Sequence, residues 1–137
     1  MKTLVPFALI VAVTAAACTG TSSPSTTTPT TTQATETFSG TVPVKGSDAH
    51  NFSVAAAGTV TVTLTVASPP DSVVMGVGIG TPTGSSCALL TGASVNTAAG
   101  TTAQLSGVVT AGALCVQVYD VGSQTSAVSY TVTVVHP

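Results

Sequence analysis

The residues of this sequence best able to do chemistry are Asp48 and His50, which are separated by a single residue. On a β-strand this spacing places both side chains on the same face. A carboxylate and an imidazole are ligand types for transition metals, and His136 would join them if the last strand lies beside the first. Zinc sites normally use three or four protein ligands, which the sequence does not supply here. We therefore favour a turn-forming Asp and a strand-edge His, predict no metal or other cofactor, and keep Asp48 and His50 as candidates.

The sequence also has few residues that could form a catalytic site. Nucleophilic catalysis requires a base held beside the nucleophile, and the chain has only two histidines and no Gly-x-Ser-x-Gly motif. A pair of carboxylates for glycoside hydrolysis would have to come from Glu36, Asp48, Asp71 and Asp120. All four fall at predicted turns or strand starts, where Asp commonly forms the turn itself. We therefore predict that the protein is not an enzyme.

The charge content narrows the range of partners. Only 4% of the 137 residues are charged, against about 25% in an ordinary soluble domain. Two basic residues cannot form the positive surface that a nucleic-acid backbone requires, which excludes nucleic acid as a partner. Ser, Thr and Gly replace the missing charges, because the hydrophobic fraction of 44% is ordinary.

Residues 1–17 have the layout of a secretory signal, in which Lys2 precedes an uncharged, mostly apolar stretch that ends in small residues. The three alanines before Cys18 resemble the lipobox of bacterial lipoproteins, in which the cysteine becomes the lipidated first residue. The resemblance implies a membrane anchor at Cys18, and Thr19 in place of Asp implies the outer membrane or the cell surface. The alternative is an ordinary secreted protein in which Cys18 has no such role.

Residues 18–35 follow as a predicted tether. The segment after Cys18 is rich in Thr, Ser and Pro, and it has neither a charge nor a large apolar side chain. Such a composition cannot bury enough surface to fold, so we predict a disordered linker that reaches at most about 50 Å. The folded domain is predicted to occupy residues 36–137.

An alternating pattern of apolar and polar residues runs through this domain. Residues 59–66 read TVTVTLTV, which predicts a strand with Val60, Val62, Leu64 and Val66 in the core and the threonines outside. Further strands are predicted at residues 38–44, 50–54, 73–79, 87–90, 102–105, 113–119 and 130–134. Clusters of Gly, Pro, Asp and Ser separate them, and no stretch has a helical period. The sequence predicts an all-β fold, an antiparallel, jelly-roll-like sandwich of two sheets with about seven or eight strands.

Three further features of the sequence each allow two interpretations. Cys87 and Cys115 form an even pair once Cys18 is set aside, and we predict a disulfide between them, the alternative being two buried thiols. Threonine ladders at residues 59–65 and 131–133 would suit contact with an ordered hydroxylated surface, although Thr is also simply favoured on exposed strand faces. Gly76, Gly78 and Gly80 leave one strand face bare, which favours close packing over ligand binding.

The order of five segments resembles the bacterial pre-peptidase C-terminal domain, a β-sandwich often attached to secreted proteases. The segments are residues 38–42, 48–54, 58–64, 111–120 and 130–134, and they cover most of the predicted domain. The resemblance implies the sandwich fold and a role in surface attachment or targeting, and it implies no reaction. Some members bind calcium through several carboxylates near the domain start. Only Glu36 and Asp48 lie there in this chain, so we do not expect a calcium site.

These inferences predict an exported protein of the cell envelope. We expect a surface-tethered bacterial lipoprotein whose sandwich is a non-catalytic binding or structural module. Its partners would be the membrane, through the lipid anchor, and an envelope polysaccharide or a secreted protein. The alternative is an accessory domain, for targeting or for carbohydrate or protein binding, that works with a secreted hydrolase.

Overall fold

The computed structural model describes residues 30–137, and this part of the chain is built from eight β-strands without a helix. The strands are β1 (Ala34–Val42), β2 (Ser47–Val54), β3 (Gly58–Ser68), β4 (Met75–Thr83), β5 (Ser86–Thr97), β6 (Leu105–Val109), β7 (Gly112–Asp120) and β8 (Val128–His136). The predicted signal peptide, Cys18 and most of the predicted linker lie outside the described residues. Within residues 30–137 no helix has the length and apolar character that a membrane crossing requires.

The strands form two antiparallel sheets that pack face to face. Sheet A has the order β1-β8-β3-β6, and sheet B has the order β2-β7-β4-β5. Successive strands thus alternate between the sheets except at β4 and β5, which pair as a hairpin. This order is that of an eight-stranded jelly roll, so the predicted all-β sandwich is confirmed.

The core lies between the two sheets and is made by the alternating residues of each strand. Because successive side chains point to opposite faces of a strand, every second residue faces the opposite sheet. Val60, Val62 and Leu64 of β3 are fully buried, as their spacing predicts, and Val132 and Val134 of β8 are buried beside them. Small β-branched side chains therefore fill most of the interior, and they also suit the extended backbone.

The structure corrects one predicted core position. Val66 is 48% exposed, and Ala67 takes the buried place that the alternation assigns to Val66. A β-bulge between Leu64 and Val66 is the cause, because the extra residue, Thr65, shifts the strand by one position against β8. The prediction of a buried Val66 was therefore wrong.

Several strand boundaries also differ from the predicted ones. The predicted strand at residues 102–105 lies instead at Leu105–Val109, and the short strand at residues 87–90 is part of the longer β5, Ser86–Thr97. β1 begins at Ala34, two residues before the predicted start of the domain at residue 36. These differences arise because pairing with a neighbouring strand extends the backbone through Ser, Gly and Thr residues that have no apolar alternation of their own.

Candidate functional site

Asp48 and His50 lie where the edges of the two sheets meet. β1 is an edge strand of sheet A and β2 is an edge strand of sheet B. The inward-facing residues of β1 approach those of β2 along one long side of the sandwich, which we call the β1–β2 seam. Its polar and aromatic members come from three strands, namely Glu36, Phe38 and Gly40 of β1, Asp48, His50 and Phe52 of β2, and Tyr130 and His136 of β8.

Tyr130 joins the two candidate residues in one hydrogen-bond chain. Its hydroxyl donates to Oδ2 of Asp48 at 2.8 Å, and the same oxygen lies 2.8 Å from Nε2 of His50. Because the hydroxyl donates its proton to the hydrogen bond with Asp48, its oxygen accepts a hydrogen bond from Nε2–H of His50, so the imidazole carries a hydrogen on Nε2. Burial, the hydrogen bond to Asp48 and the charge of that carboxylate all raise the pKa of Tyr130, so the phenol stays protonated at neutral pH.

Two further residues of β1 shape this chain. The Phe38 ring is stacked on His50, with ring centroids 4.9 Å apart and an interplanar angle of 10°. Gly40 is paired with Tyr130, and a side chain at position 40 would overlap the Asp48 carboxylate and the Tyr130 hydroxyl. The absence of a Cβ at Gly40 therefore leaves the space in which a carboxylate of sheet B meets a phenol of sheet A.

Asp48 and His50 share one face of β2, as predicted, but no third His, Cys, Asp or Glu among residues 30–137 joins them. Their nearest atoms, Oδ2 and Nε2, are 3.7 Å apart, and both side chains are about one-third exposed. Within residues 30–137, no three residues of the types His, Cys, Asp and Glu come together as a potential metal site. The two atoms of this pair that lie nearest each other, Oδ2 of Asp48 and Nε2 of His50, are both engaged by Tyr130.

His136 lies elsewhere in the seam and has a separate partner. β8 does lie beside β1, yet His136 is six residues from Tyr130, which corresponds to about 20 Å along a strand. Its Nε2 lies 3.0 Å from Oε1 of Glu36, and its ring packs on Phe52 with centroids 5.2 Å apart. The seam thus holds two histidine–carboxylate pairs at separate levels rather than one cluster.

The two other candidate carboxylates lie outside the seam, Asp120 at the end of β7 and Asp71 in the loop after β3. Asp120 accepts hydrogen bonds from the backbone amide of Lys45 through one oxygen and from the amides of Gly122, Ser123 and Gln124 through the other. These amides, that of Lys45 foremost, hold the pKa of Asp120 below its ordinary value. Asp71 is exposed in the loop after β3, where it lines an open depression of about 350 Å³. Asp120 therefore organises its turn, and neither residue contributes to the hydrogen-bond chain at Tyr130.

The predicted cysteine pair is brought together on the outer face of sheet B. The sulfur atoms of Cys87 and Cys115 are 2.03 Å apart, which is disulfide distance. Cys115 is paired with Gly80 of β4, and a side chain at Gly80 would overlap the backbone of Ala88. The link from β7 to β5 therefore passes over a position on β4 where only glycine fits.

The other two glycines of β4 are covered as well. A Cβ at Gly76 would overlap the ring of Tyr119, and a Cβ at Gly78 would lie 2.7 Å from a methyl group of Leu89. All three glycines are buried although they face away from the core. The bare strand face is thus used for packing, as predicted, and it leaves no groove for a ligand.

The threonine ladders lie on the outer face of sheet A and extend further than the sequence indicates. Thr37 of β1, Thr133 of β8 and Thr63 of β3 are paired in one row across three strands. In the next row the hydroxyls of Ser39 and Thr131 are 2.9 Å apart. We call this surface the hydroxyl face, and its members are Thr35, Thr37, Ser39, Thr41, Thr59, Thr61, Thr63, Thr65, Ser129, Thr131 and Thr133.

Sequence reasoning missed Tyr130 and Glu36 as partners of the two histidines. Tyr130 was predicted only as a core residue, because its alternation with Val132 and Val134 gives no sign of a polar partner. The contacts of Tyr130 cross from sheet A to sheet B, whereas Glu36 and His136 lie on neighbouring strands of sheet A, and no spacing along the chain encodes either pairing. The sequence contained one signal that could have indicated these pairings. Both histidines lie near strands whose inward-facing residues include a carboxylate.

Comparison with known proteins adds no family to this description. The chain matched no protein-family model and no curated protein sequence. The similarity of residues 36–137 to the pre-peptidase C-terminal domain accordingly stays a prediction, and the described residues establish the chain as an eight-stranded, two-sheet β-sandwich.

Proposed function

We propose that this chain is an exported bacterial lipoprotein, anchored through Cys18, whose sandwich is a non-catalytic binding module for an uncharged partner in the cell envelope. The supporting observation is the placement of charge. The five Lys, Asp and Glu residues among residues 30–137 all lie in turns, in loops, at the end of β7 or in the β1–β2 seam. Both broad faces of the sandwich therefore lack Lys, Asp and Glu side chains.

A surface of this kind selects partners by polarity rather than by charge. Without fixed charges it exerts no long-range steering on ions, nucleic acid or acidic polymers. The hydroxyl face instead offers rows of groups that each donate one hydrogen bond and accept up to two. A neutral polysaccharide, which is itself an array of hydroxyls, complements such a face.

Weak contacts suffice for a protein that is held on a surface. Many tethered copies facing one polymer bind it together, because each contact raises the effective concentration of the next. The predicted linker and lipid anchor would supply that arrangement. The function therefore requires both the anchor and the hydroxyl face.

The anchor is tested by labelling the producing cells with radioactive palmitate. We expect label on the full chain and none on a Cys18→Ala variant. Absence of label from the wild-type chain would refute the lipoprotein assignment.

The binding surface is tested by co-sedimentation of the full chain, in mild detergent, with insoluble polysaccharide prepared from the cell envelope. Thr37→Lys places one charge on the exposed edge of the hydroxyl face, and Ser53→Lys places the same charge on the exposed outer side of β2 in sheet B. We expect the Thr37 variant to lose most of its binding and the Ser53 variant to keep it. Equal loss in both variants, or no binding by the wild type, would overturn the proposal.

A further inference from the structure

Sheet A has a depression at one corner, where its fourth strand is shorter than its neighbour. β6 has five residues and pairs only with residues 58–62 of β3, whereas β3 continues to Ser68. Within residues 30–137, the last part of β3 thus has a strand on one side only, which is β8. The open depression of about 350 Å³ lies here, and we call it the β3 notch. Its lining residues are Thr65, Val66 and Ala67 of β3, Asp71 of the following loop and Ala99 of the segment between β5 and β6.

The segment that carries Ala99 is held beside β3 by hydrogen bonds to Leu64. The Leu64 amide donates to Oε1 of Gln104 at 2.7 Å, and the Leu64 carbonyl oxygen accepts the amide of Gly100 at 2.8 Å. Nε2 of Gln104 also donates to that carbonyl oxygen at 3.3 Å. The Gln104 side chain thus takes the place of a strand partner for Leu64. The wall of the notch at Ala99 is therefore fixed, as in most small-molecule sites, which are largely preformed.

The β-bulge in β3 gives the notch an apolar surface. Regular alternation would point Val66 into the core, and the bulge redirects it outward, where it is 48% exposed. Ala67 is buried beside it, and Ala99 is half-buried. Val66 is accordingly the largest apolar side chain in the lining, with the two alanines around it.

The polar groups of the notch are hydrogen-bond acceptors. Glu36, Asp48 and Asp120 each have a hydrogen-bond partner, whereas Asp71 has none in the part of the chain that the structure describes. The Thr65 hydroxyl donates to a backbone carbonyl at 3.1 Å, so its oxygen is left to accept. None of the lining residues is basic. An anionic ligand would meet the Asp71 carboxylate without a countercharge.

Acceptors beside an apolar surface complement a ligand that carries several hydroxyl donors on a carbon ring. We propose that the β3 notch binds one neutral sugar ring, whose hydroxyls donate to the Asp71 carboxylate and whose C–H groups pack on Val66. A carboxylate has two oxygens and can accept from two neighbouring hydroxyls at once. The volume of about 350 Å³ lies in the lower part of the range of about 300–1,000 Å³ for small-molecule sites, which suits a single ring.

The notch is continuous with the hydroxyl face, because Thr65 belongs to both. The Ser39 and Thr131 hydroxyls are 2.9 Å apart, and the Thr65 hydroxyl donates to the Thr131 carbonyl, so this row runs from β1 across β8 to the notch. A polysaccharide chain lying along the row places one of its rings in the notch. The inference rests on the proposed function and narrows it, since it adds a site for one sugar unit to a flat surface.

The test measures binding of the full chain, in mild detergent, to insoluble envelope polysaccharide. Asp71→Ala removes the acceptor and should weaken binding about tenfold, because hydrogen bonds to a charged group are lost. Val66→Ala removes two carbons from the apolar surface and should weaken binding about fivefold. The matched controls are Ser72→Ala and Val74→Ala, which alter exposed residues of the neighbouring loop that do not line the notch. Both controls should bind as the wild type does, and all four variants should keep the wild-type urea midpoint.

The outcomes separate the notch from the function on which it rests. Undiminished binding by Asp71→Ala, with the wild type still bound, would overturn the notch and leave the hydroxyl face as the binding surface. Equal losses in Asp71→Ala and Ser72→Ala would overturn it as well. No binding by the wild type would overturn the proposed function itself.

A second measurement locates the sugar on the wild-type chain. The probes are neutral oligosaccharides released from the same polysaccharide by partial acid hydrolysis, and amide NMR shifts are followed during titration. We expect the largest shift changes at Val66, Asp71 and Ala99. They should be the same at about 0.01 M and about 1 M salt, between which the Debye length falls from about 30 Å to about 3 Å. Changes confined to the hydroxyl face would overturn the notch, and so would loss of binding at high salt, which indicates a cation held by Asp71.

Discussion

The outer faces of the two sheets are built on different principles. On sheet B, the glycines of β4 are buried beneath the Tyr119 ring, Leu89 and the Cys87–Cys115 link, so the outer face has a packed layer of its own. On sheet A, most outer side chains are threonines and serines whose hydroxyls contact one another or solvent, and Val66, Val108 and Val135 lie among them. The outer face of sheet B thus contributes to the stability of the sandwich, and the outer face of sheet A is free to contact a partner.

The free energies of the interactions on the two faces support this difference between sheet A and sheet B. A cross-strand pair such as Thr37 and Thr133 contributes about 0.2–1 kcal/mol, and exposed pairs can be exchanged without disturbing the core. A disulfide that closes a loop of this length contributes several times more. Substitutions on sheet B are therefore expected to change stability, and substitutions on the hydroxyl face are expected to change binding.

The largest effect is expected from removing the cysteine pair. Cys115→Ser releases a cross-link between residues 28 apart in sequence, which corresponds to about 3–4 kcal/mol of unfolding free energy in the chain-entropy model. Urea unfolding measures the loss, and Cys18→Ser is the control that leaves stability unchanged. Two free thiols in the unfolded, unreduced wild type would show that the bond does not form and that sheet B lacks this support.

A second test on the same face concerns the glycine beneath Tyr119. Gly76→Ala places a methyl group where the ring lies, so the ring must move off the sheet. Overpacking of this kind costs about 1–3 kcal/mol, measured by urea unfolding. Gly107→Ala is the matched control, because Gly107 also lies in a strand and a Cβ there meets no atom. Equal effects of the two substitutions would mean that the outer face of sheet B is not a packed layer.

The sequence predicts much of the difference between the two outer faces. Each feature that it does not predict has an identifiable physical cause. The alternation in β3 and β8 predicts which residues enter the core, and the even cysteine pair predicts the link on sheet B. The bulge at Thr65 escapes prediction because nothing in TVTVTLTVAS marks an extra residue. The row of Thr37, Thr133 and Thr63 escapes it too, because strand register depends on pairing between distant segments.

The seam was the least predictable region. The spacing of Asp48 and His50 correctly placed them on one face, but their connection through Tyr130 depends on how the two sheets approach each other. A residue such as Tyr130 has the same sequence signature whether its hydroxyl is buried in a polar chain or reaches solvent. Cross-sheet contacts of this kind require the three-dimensional arrangement of β1, β2 and β8.

Substitutions at Tyr130 and at its neighbour Thr131 compare how much the inner and the outer side of β8 contribute to stability. Tyr130→Phe removes the donor to Asp48 and the acceptor of His50, at a cost of about 1–2 kcal/mol in unfolding free energy. The control is Thr131→Val, the next residue along β8, whose side chain faces outward. A larger effect at Thr131 than at Tyr130 would contradict the assignment of the two sides.

The same phenol predicts an alkaline limit to stability. The pKa of Tyr130 is raised in the folded state above its unfolded value of about 10, so its contribution to stability is complete below that pH. As the pH rises further, the unfolded chain ionises first and stability is lost. Tyr119→Phe leaves Tyr130 as the remaining tyrosine, and its tyrosinate absorbance should appear together with unfolding. Ionisation while the protein is still folded would show that the hydrogen-bond chain does not hold the proton.

The smallest effect on stability is expected on the hydroxyl face. Thr133→Val removes a hydroxyl from the centre of the row and keeps the branched shape, so unfolding free energy should change by no more than about 0.5 kcal/mol. Val132→Ala, the adjacent residue in the core, should cost about 2 kcal/mol in the same urea assay. A large loss in Thr133→Val would mean that the hydroxyl rows are needed for folding.

The division between the two faces is tested most directly by measuring, on the same samples, both unfolding free energy and binding to insoluble envelope polysaccharide for Thr133→Lys and Gly76→Ala. The account predicts opposite results, with Thr133→Lys keeping its stability and losing its binding, and Gly76→Ala losing stability and keeping its binding while folded. If Thr133→Lys binds as well as the wild type, or if both variants lose stability to the same extent, the two faces do not have the separate roles described above.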